Sequence, residues 1–199
     1  MATSFIAIPT TETEAVNALL RAVGIAPVGS LSSTNLDVVD AIQTLSTVNR
    51  SVQGKGWYFN TRFNREYLRD TMGEIELPAN VLEVKMGANS AGATGSIIVR
   101  DGKLYDLDND TSVLTTNYYL DIIELLEFEQ LPQAARDYIV ARAIRIHTAN
   151  DDDADADKRN QQSQDEVSTY STLFDNEQEM TNRSFFDKLD NAHSNLRNR

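Results

Sequence analysis

The chain has 199 residues, 41% of them hydrophobic, and its 30 acidic against 18 basic residues give a formal net charge of −12. A chain of this length removes roughly 70% of its unfolded surface from water, which suits one domain or one domain with an insertion. The absence of cysteine removes thiolate chemistry, two histidines leave little for zinc or haem, no apolar run approaches the roughly 20 residues of a membrane span, and the charge argues against a phosphate-gripping surface or sequence-specific nucleic-acid binding.

The first helix is marked by Thr11 and Glu14 at capping-box spacing, by Val16, Leu19, Leu20 and Val23 on one face, by Arg21 in the last turn and by Gly24 as the stop. A loop with Pro27 and Gly29 follows. Val38, Ile42, Leu45, Val48 and Val52 recur at helical steps and predict a second helix from about Asn35 to Gly54 and Gly56, packed antiparallel on the first. At Trp57 the period changes. Trp57, Phe59 and Phe63 alternate with polar residues, and the stretch to about Gln130 holds most of the β-branched and turn residues, so it reads as a β-rich insert.

Inside the insert, Asp101-Gly102 between Ile97-Ile98-Val99 and Leu104-Tyr105 predicts a type I′ hairpin with Val99 opposite Leu104. Tyr118 to Phe128 is open to strand or short helix, and Ile122 and Ile123 beside tyrosines favour strand. Pro132, at the first helical position, opens a third helix with Ala135, Ile139, Ala143 and Ile146 buried and Arg136, Arg142 and Arg145 wet. The acidic run from Asn150 to Asp157 suits the N-terminus of a fourth helix, whose apolar side of Val167, Tyr170, Leu173 and Phe174 fades near Asn176. The expected fold is therefore α+β. A four-helix core comes from residues 10–56 and 131–179, a β-rich insertion at 57–130 separates the second and third helices, and a C-terminal arm covers 180–199.

No catalytic, cofactor-binding or metal-binding residue is assigned, and the chain reads as non-enzymatic. There is no Walker-type loop and no dinucleotide fingerprint; Gly87 to Gly95 is rich in small residues but lacks a Lys-Ser/Thr ending and reads as a loop between strands. Asp106 to Asp110 alternates like a calcium loop, yet Thr111 stands where glycine is needed and Asn117 where the bidentate glutamate belongs. Asp151 to Asp157 fails likewise at Ala156 and Gln162. Trp57, Tyr58 and Phe59 read as core and not as a base-stacking platform.

The remaining candidates are for partner docking. Arg136, Arg142 and Arg145 share one predicted helix face, open either to phosphates or to acidic neighbours across a subunit boundary. Phe185, Phe186 and Leu189 lie at helical spacing in the arm, suited to a partner's groove or to folding back on the chain's own helices.

Several short segments are more specific. They are Ala15-Val16-Asn17 with Ile25-Ala26-Pro27-Val28 after the first helix, Gly56-Trp57-Tyr58-Phe59-Asn60 after the second, the hairpin from Ile98 to Asp106, and Leu131-Pro132 leading into Arg136-Asp137-Tyr138-Ile139-Val140. With the elements in this order from about Ala15 to Phe174, the chain resembles the tail tubular protein A family, the adaptor between head and tail nozzle of short-tailed bacteriophages. The resemblance implies a structural protein of the virion tail, assembled in the host cytoplasm. It implies a self-associating ring, dodecameric in the family, that docks under the portal protein and receives the tail nozzle protein and tail fibres. DNA would pass through this head-tail connector during ejection without sequence-specific binding, and no membrane is involved. The residues alone leave two rivals, a soluble binding or regulatory module and a carboxylate-based cell-wall hydrolase.

Overall fold

A computed structural model describes residues 10–32, 34–90, 96–149 and 156–197, with side chains in the last helix up to residue 182. Its elements run α1 (Glu12–Ala22), α2 (Leu36–Gln53), β1 (Thr61–Tyr67), β2 (Val81–Met86), β3 (Ile97–Arg100), β4 (Lys103–Asp106), β5 (Tyr118–Glu124), a 3-10 turn (Phe128–Gln130), α3 (Gln133–Thr148) and α4 (Ala156–Arg197). This is the expected α+β architecture. The described residues divide into two compact units, a helical one from the chain before Gln53 and after Leu126, and a β-rich one spanning Gln53–Leu126.

In the helical unit, the Thr11 hydroxyl accepts from the Glu14 N–H at 3.2 Å while the Glu14 carboxylate accepts from the Thr11 N–H at 2.8 Å. This reciprocal box satisfies two donors that a helix start leaves orphaned. Ala15, Val16, Leu19 and Leu20 are buried behind it. The helix pairs in most extensive contact are α3 with α4 and α1 with α3, whereas α1 and α2, expected from their order to pack as an antiparallel pair, share little contact. The connection between them is tied down instead. Asn17, buried on α1, donates to the Val28 carbonyl at 2.9 Å and accepts from the Val28 N–H at 2.7 Å, so the linker folds back along α1.

Pro132, with ψ 149°, caps α3 from outside the helix and is not its first helical residue. Ala135, Ile139 and Ala143 are buried as the periodicity predicts, but Ile146 is exposed at the end of the stripe. Asn150 to residue 155 lie outside the described residues, as do residues 91–95 of the small-residue loop. No helix among the described residues is long and apolar enough to cross a membrane.

The β-rich unit is organised by β5, which pairs antiparallel with β1 on one side and β2 on the other. Tyr118, Leu120 and Ile122 of β5 alternate onto one face and pack with Ile75, Leu77, Leu104 and Leu114. The β3–β4 hairpin closes over this core, with the Leu104 N–H on the Ile75 carbonyl and the Leu77 N–H on the Gly102 carbonyl, both at 2.9 Å. Val99 lies opposite Leu104. Asp101 at φ 53° and Gly102 at φ 74° supply the two positive dihedrals that a type I′ turn requires.

Two expectations for this unit change. The alternation of Trp57, Phe59 and Phe63 becomes strand only at its end: the Asn60 N–H bonds the Trp57 carbonyl at 3.1 Å in a turn, β1 starts at Thr61 and carries Phe63, and its register shifts between Arg62 and Arg65. Trp57 is consequently buried while Phe63 is exposed. The stretch from Tyr118 is a strand only to Glu124, and Phe128 already belongs to the 3-10 turn.

The ends of the β unit are joined by two buried amides. Gln53 donates to and accepts from the Leu126 backbone, both at 2.8 Å, and Asn60 donates to the carbonyls of Gln53 and Glu124, both at 2.9 Å. Gly56 turns between them at φ 75°, where a Cβ would meet Ile123 Cδ1 at 2.6 Å.

Asp106 closes the turn after β4. It accepts from the Asn109 side chain at 2.8 Å and from the N–H groups of Asn109 and Asp108 at 3.2 and 2.9 Å, which holds its carboxyl below the ordinary aspartate range. A folded-state pKa below the unfolded one stabilises above the unfolded value and is lost as pH falls through the folded one. Thermal melts should therefore show a stability gap between the wild type and Asp106→Asn at neutral pH that narrows as pH falls below the ordinary aspartate range. A gap that stays constant with pH would show that the charge contributes nothing.

Candidate docking surface

Arg136 does not lie on the wet face predicted for it. The residue is 7% exposed, and its guanidinium donates to the carbonyls of Leu131 and Thr10, each at 2.8 Å, and to that of Glu129, with the Phe128 ring centroid 6.0 Å from Cζ. The physical reason is the packing of the 3-10 turn and the N-terminal segment against the start of α3, which leaves carbonyls that need donors. A planar fork of five N–H groups serves several at once.

Arg142 and Arg145 are half-buried and both reach Glu166 of α4. Arg142 Nη1 lies 3.5 Å from Glu166 Oε1 and donates to the Tyr138 hydroxyl at 2.9 Å, while Arg145 Nε donates to Glu166 Oε2. The acidic neighbour of these arginines is therefore in the same chain, and the pairing fastens α4 to α3. The Nε of Arg142 is buried with no hydrogen-bond partner. Glu166 stands four residues before Tyr170 and seven before Leu173, so helical spacing already puts it on the packed side of α4. That spacing was the available signal for a residue the docking candidates omit.

The side chains of Phe185, Phe186 and Leu189 lie outside the described residues. The backbone that carries them continues α4 to Arg197, without a break at Asn176 or between core and arm. Only the apolar pattern fades. From Ala156 to Arg197 there is neither glycine nor proline, so nothing in the sequence stops the helix.

The apolar side of α4 is only partly covered. Leu173 is buried, but Val167, Tyr170, Phe174 and Met180 are exposed. The Tyr170 ring centroid lies 5.2 Å from that of Tyr138 and 6.2 Å from that of Phe174, forming an aromatic row from α3 onto α4. A groove of about 330 Å³ lies where the two helices meet, lined by Val140, Ala141 and Ile144 together with Asp137, Asp165 and Thr169. No group of three or more His, Asp or Glu residues converges to hold a metal ion among the described residues.

The family model for tail tubular proteins matches residues 13–185, which takes in both units and most of α4. The chain belongs to the tail tubular protein family. One relative, tail tubular protein A of Klebsiella phage KP34, is 32% identical over 124 residues, covering 62% of this chain and 64% of that relative. Family membership makes this tail tubular chain a structural protein of a phage tail. It also changes what the α4 surface means, because an exposed aromatic row is a liability in a solitary monomer and an asset in a tail subunit.

Proposed function

We propose that this chain is a head-to-tail adaptor subunit of a short-tailed phage. Copies of it form a ring that docks on the portal protein, receives the tail nozzle protein and tail fibres, and surrounds the DNA exit channel. The observation that carries this reading is α4, 42 residues long against 16 in α3, with Val167, Tyr170, Phe174 and Met180 left exposed along it. Covering each such side chain is worth up to about 1.5–3 kcal/mol, a gain realised only when a partner is present. Glycine-free and proline-free continuity to Arg197 lets the helix reach that partner. The acidic balance of the chain fits a conduit along which DNA slides without being held.

A net charge of −12 also opposes self-association, so a template that adds contacts favours the ring. Sedimentation at micromolar concentration and moderate salt is expected to show a monomer alone and a ring when the phage's own portal is added. Deleting Thr181 to Arg199 is expected to leave the melting temperature almost unchanged and to prevent stable attachment. A full-length chain that stays monomeric with the portal removes the adaptor reading; a truncated chain that still forms complete rings removes only the role of the arm.

A further inference from the structure

We propose that the apolar segment ahead of α1, Phe5 to Pro9, docks in the groove between α3 and α4 of its own chain and straps the two helices together. This contact does not depend on the ring reading. The groove of about 330 Å³ is lined on α3 by Asp137, Val140, Ala141 and Ile144, which recur at three- and four-residue steps and so share one stripe, and on α4 by residues that include Asp165. Val140, Ala141 and Ile144 are only half-buried. Apolar surface left open in a concave site gains from an apolar occupant.

Thr10 selects the occupant. It lines the same groove and is held at the start of α3: its N–H donates to Gln133 Oε1 at 3.0 Å, its hydroxyl accepts from Gln133 Nε2 at 2.8 Å, and its carbonyl accepts from Arg136 Nη1 at 2.8 Å. The chain ahead of it therefore starts at the mouth of the groove. Met1 to Pro9 lie outside the described residues, and their sequence ends in Phe5-Ile6-Ala7-Ile8-Pro9. Proline disfavours helical backbone at the residue before it, which favours an extended approach to Thr10. Four extended residues reach about 13 Å, and Asp137 to Ile144 rises about 10 Å along α3, so Phe5 to Ile8 is long enough to span the groove.

Charge and tethering favour this segment over a second copy. Asp137 and Asp165 put carboxylates on the groove, and the chain as a whole carries −12, so another copy approaches against repulsion. Met1 to Pro9 contains no charged side chain. Attached at Thr10, the segment also meets the groove at an effective concentration that a separate chain does not reach at micromolar levels.

Because the chain lacks cysteine, Asp165→Cys gives a single attachment point beside the groove for a photo-crosslinker. With isotopically labelled and unlabelled chains mixed, the crosslinker is expected to capture residues 1–9 of the same chain. Replacing the apolar side chains together, Phe5→Ser with Ile6→Ser and Ile8→Ser, is expected to abolish that capture and to speed amide hydrogen exchange from Val140 to Ile144 about ten-fold, since burying one aliphatic side chain is worth at least that factor. The first measurement is made on an unaltered segment, so it decides the matter even where the serine variant fails to fold. Capture of a second copy, capture of other surfaces in place of residues 1–9, or wild-type exchange in the serine variant overturns the strap.

Discussion

Arg136→Met is expected to lower the stability of the chain by about 3–5 kcal/mol, measured by chemical denaturation. Methionine keeps most of the aliphatic stem, so little cavity forms and the loss reports mainly on the three hydrogen bonds to Leu131, Thr10 and Glu129. Bonds from a charged donor contribute about 1.5–3 kcal/mol each. The full sum is not expected, because Glu129 is exposed and Thr10 half-buried, so water can take up part of the demand there, whereas Leu131 is buried and loses its partner outright. Arg136→Lys should recover only a fraction, since a single ammonium lacks the fork that serves carbonyls on two segments. A loss below about 1 kcal/mol for the methionine variant would show that the clamp is not holding the N-terminal segment and the 3-10 turn against α3.

Trp57→Ala is expected to cost about 3–5 kcal/mol, the usual range for removing a buried large aromatic. Trp57 is 5% exposed and stacks on Phe59 at 6.4 Å with the rings 5° from parallel. Its N–H bonds Asn60 Oδ1 at 2.8 Å, and alanine keeps that bond, so the loss measures the side chain. The site lies next to the paired amides of Gln53 and Asn60, which allows little collapse into the space vacated. Trp57→Phe should retain more than half of the lost stability. An alanine variant with unchanged stability and weakened ring assembly would instead make Trp57 a contact residue.

The features legible in the sequence share one property: their partners are close along the chain. The capping box joins Thr11 to Glu14, and the hairpin turn needs only Asp101 and Gly102 to adopt positive φ. Local chemistry contains both sides of each interaction, so residue type and spacing are sufficient. Apolar periodicity likewise located α2 and α3 and placed Ala135, Ile139 and Ala143 inside. It stopped α4 too early. The apolar pattern fades near Asn176, whereas the helix runs on, with no glycine or proline before Arg197 to break it.

By itself, then, the sequence determined the order of elements, the α+β class, the hairpin register and the segments that carry the family likeness. Tertiary structure alone decided how the polar groups are used. Gln53 meets Leu126 across 73 positions and Arg136 meets Thr10 across 126, and no periodicity of three or four residues encodes such a pairing. Arg136, Arg142 and Arg145 look alike as three arginines on one helix. One became an internal clamp and two became the tie to Glu166, because a buried carbonyl or carboxylate must be answered by whichever donor the packing brings within reach.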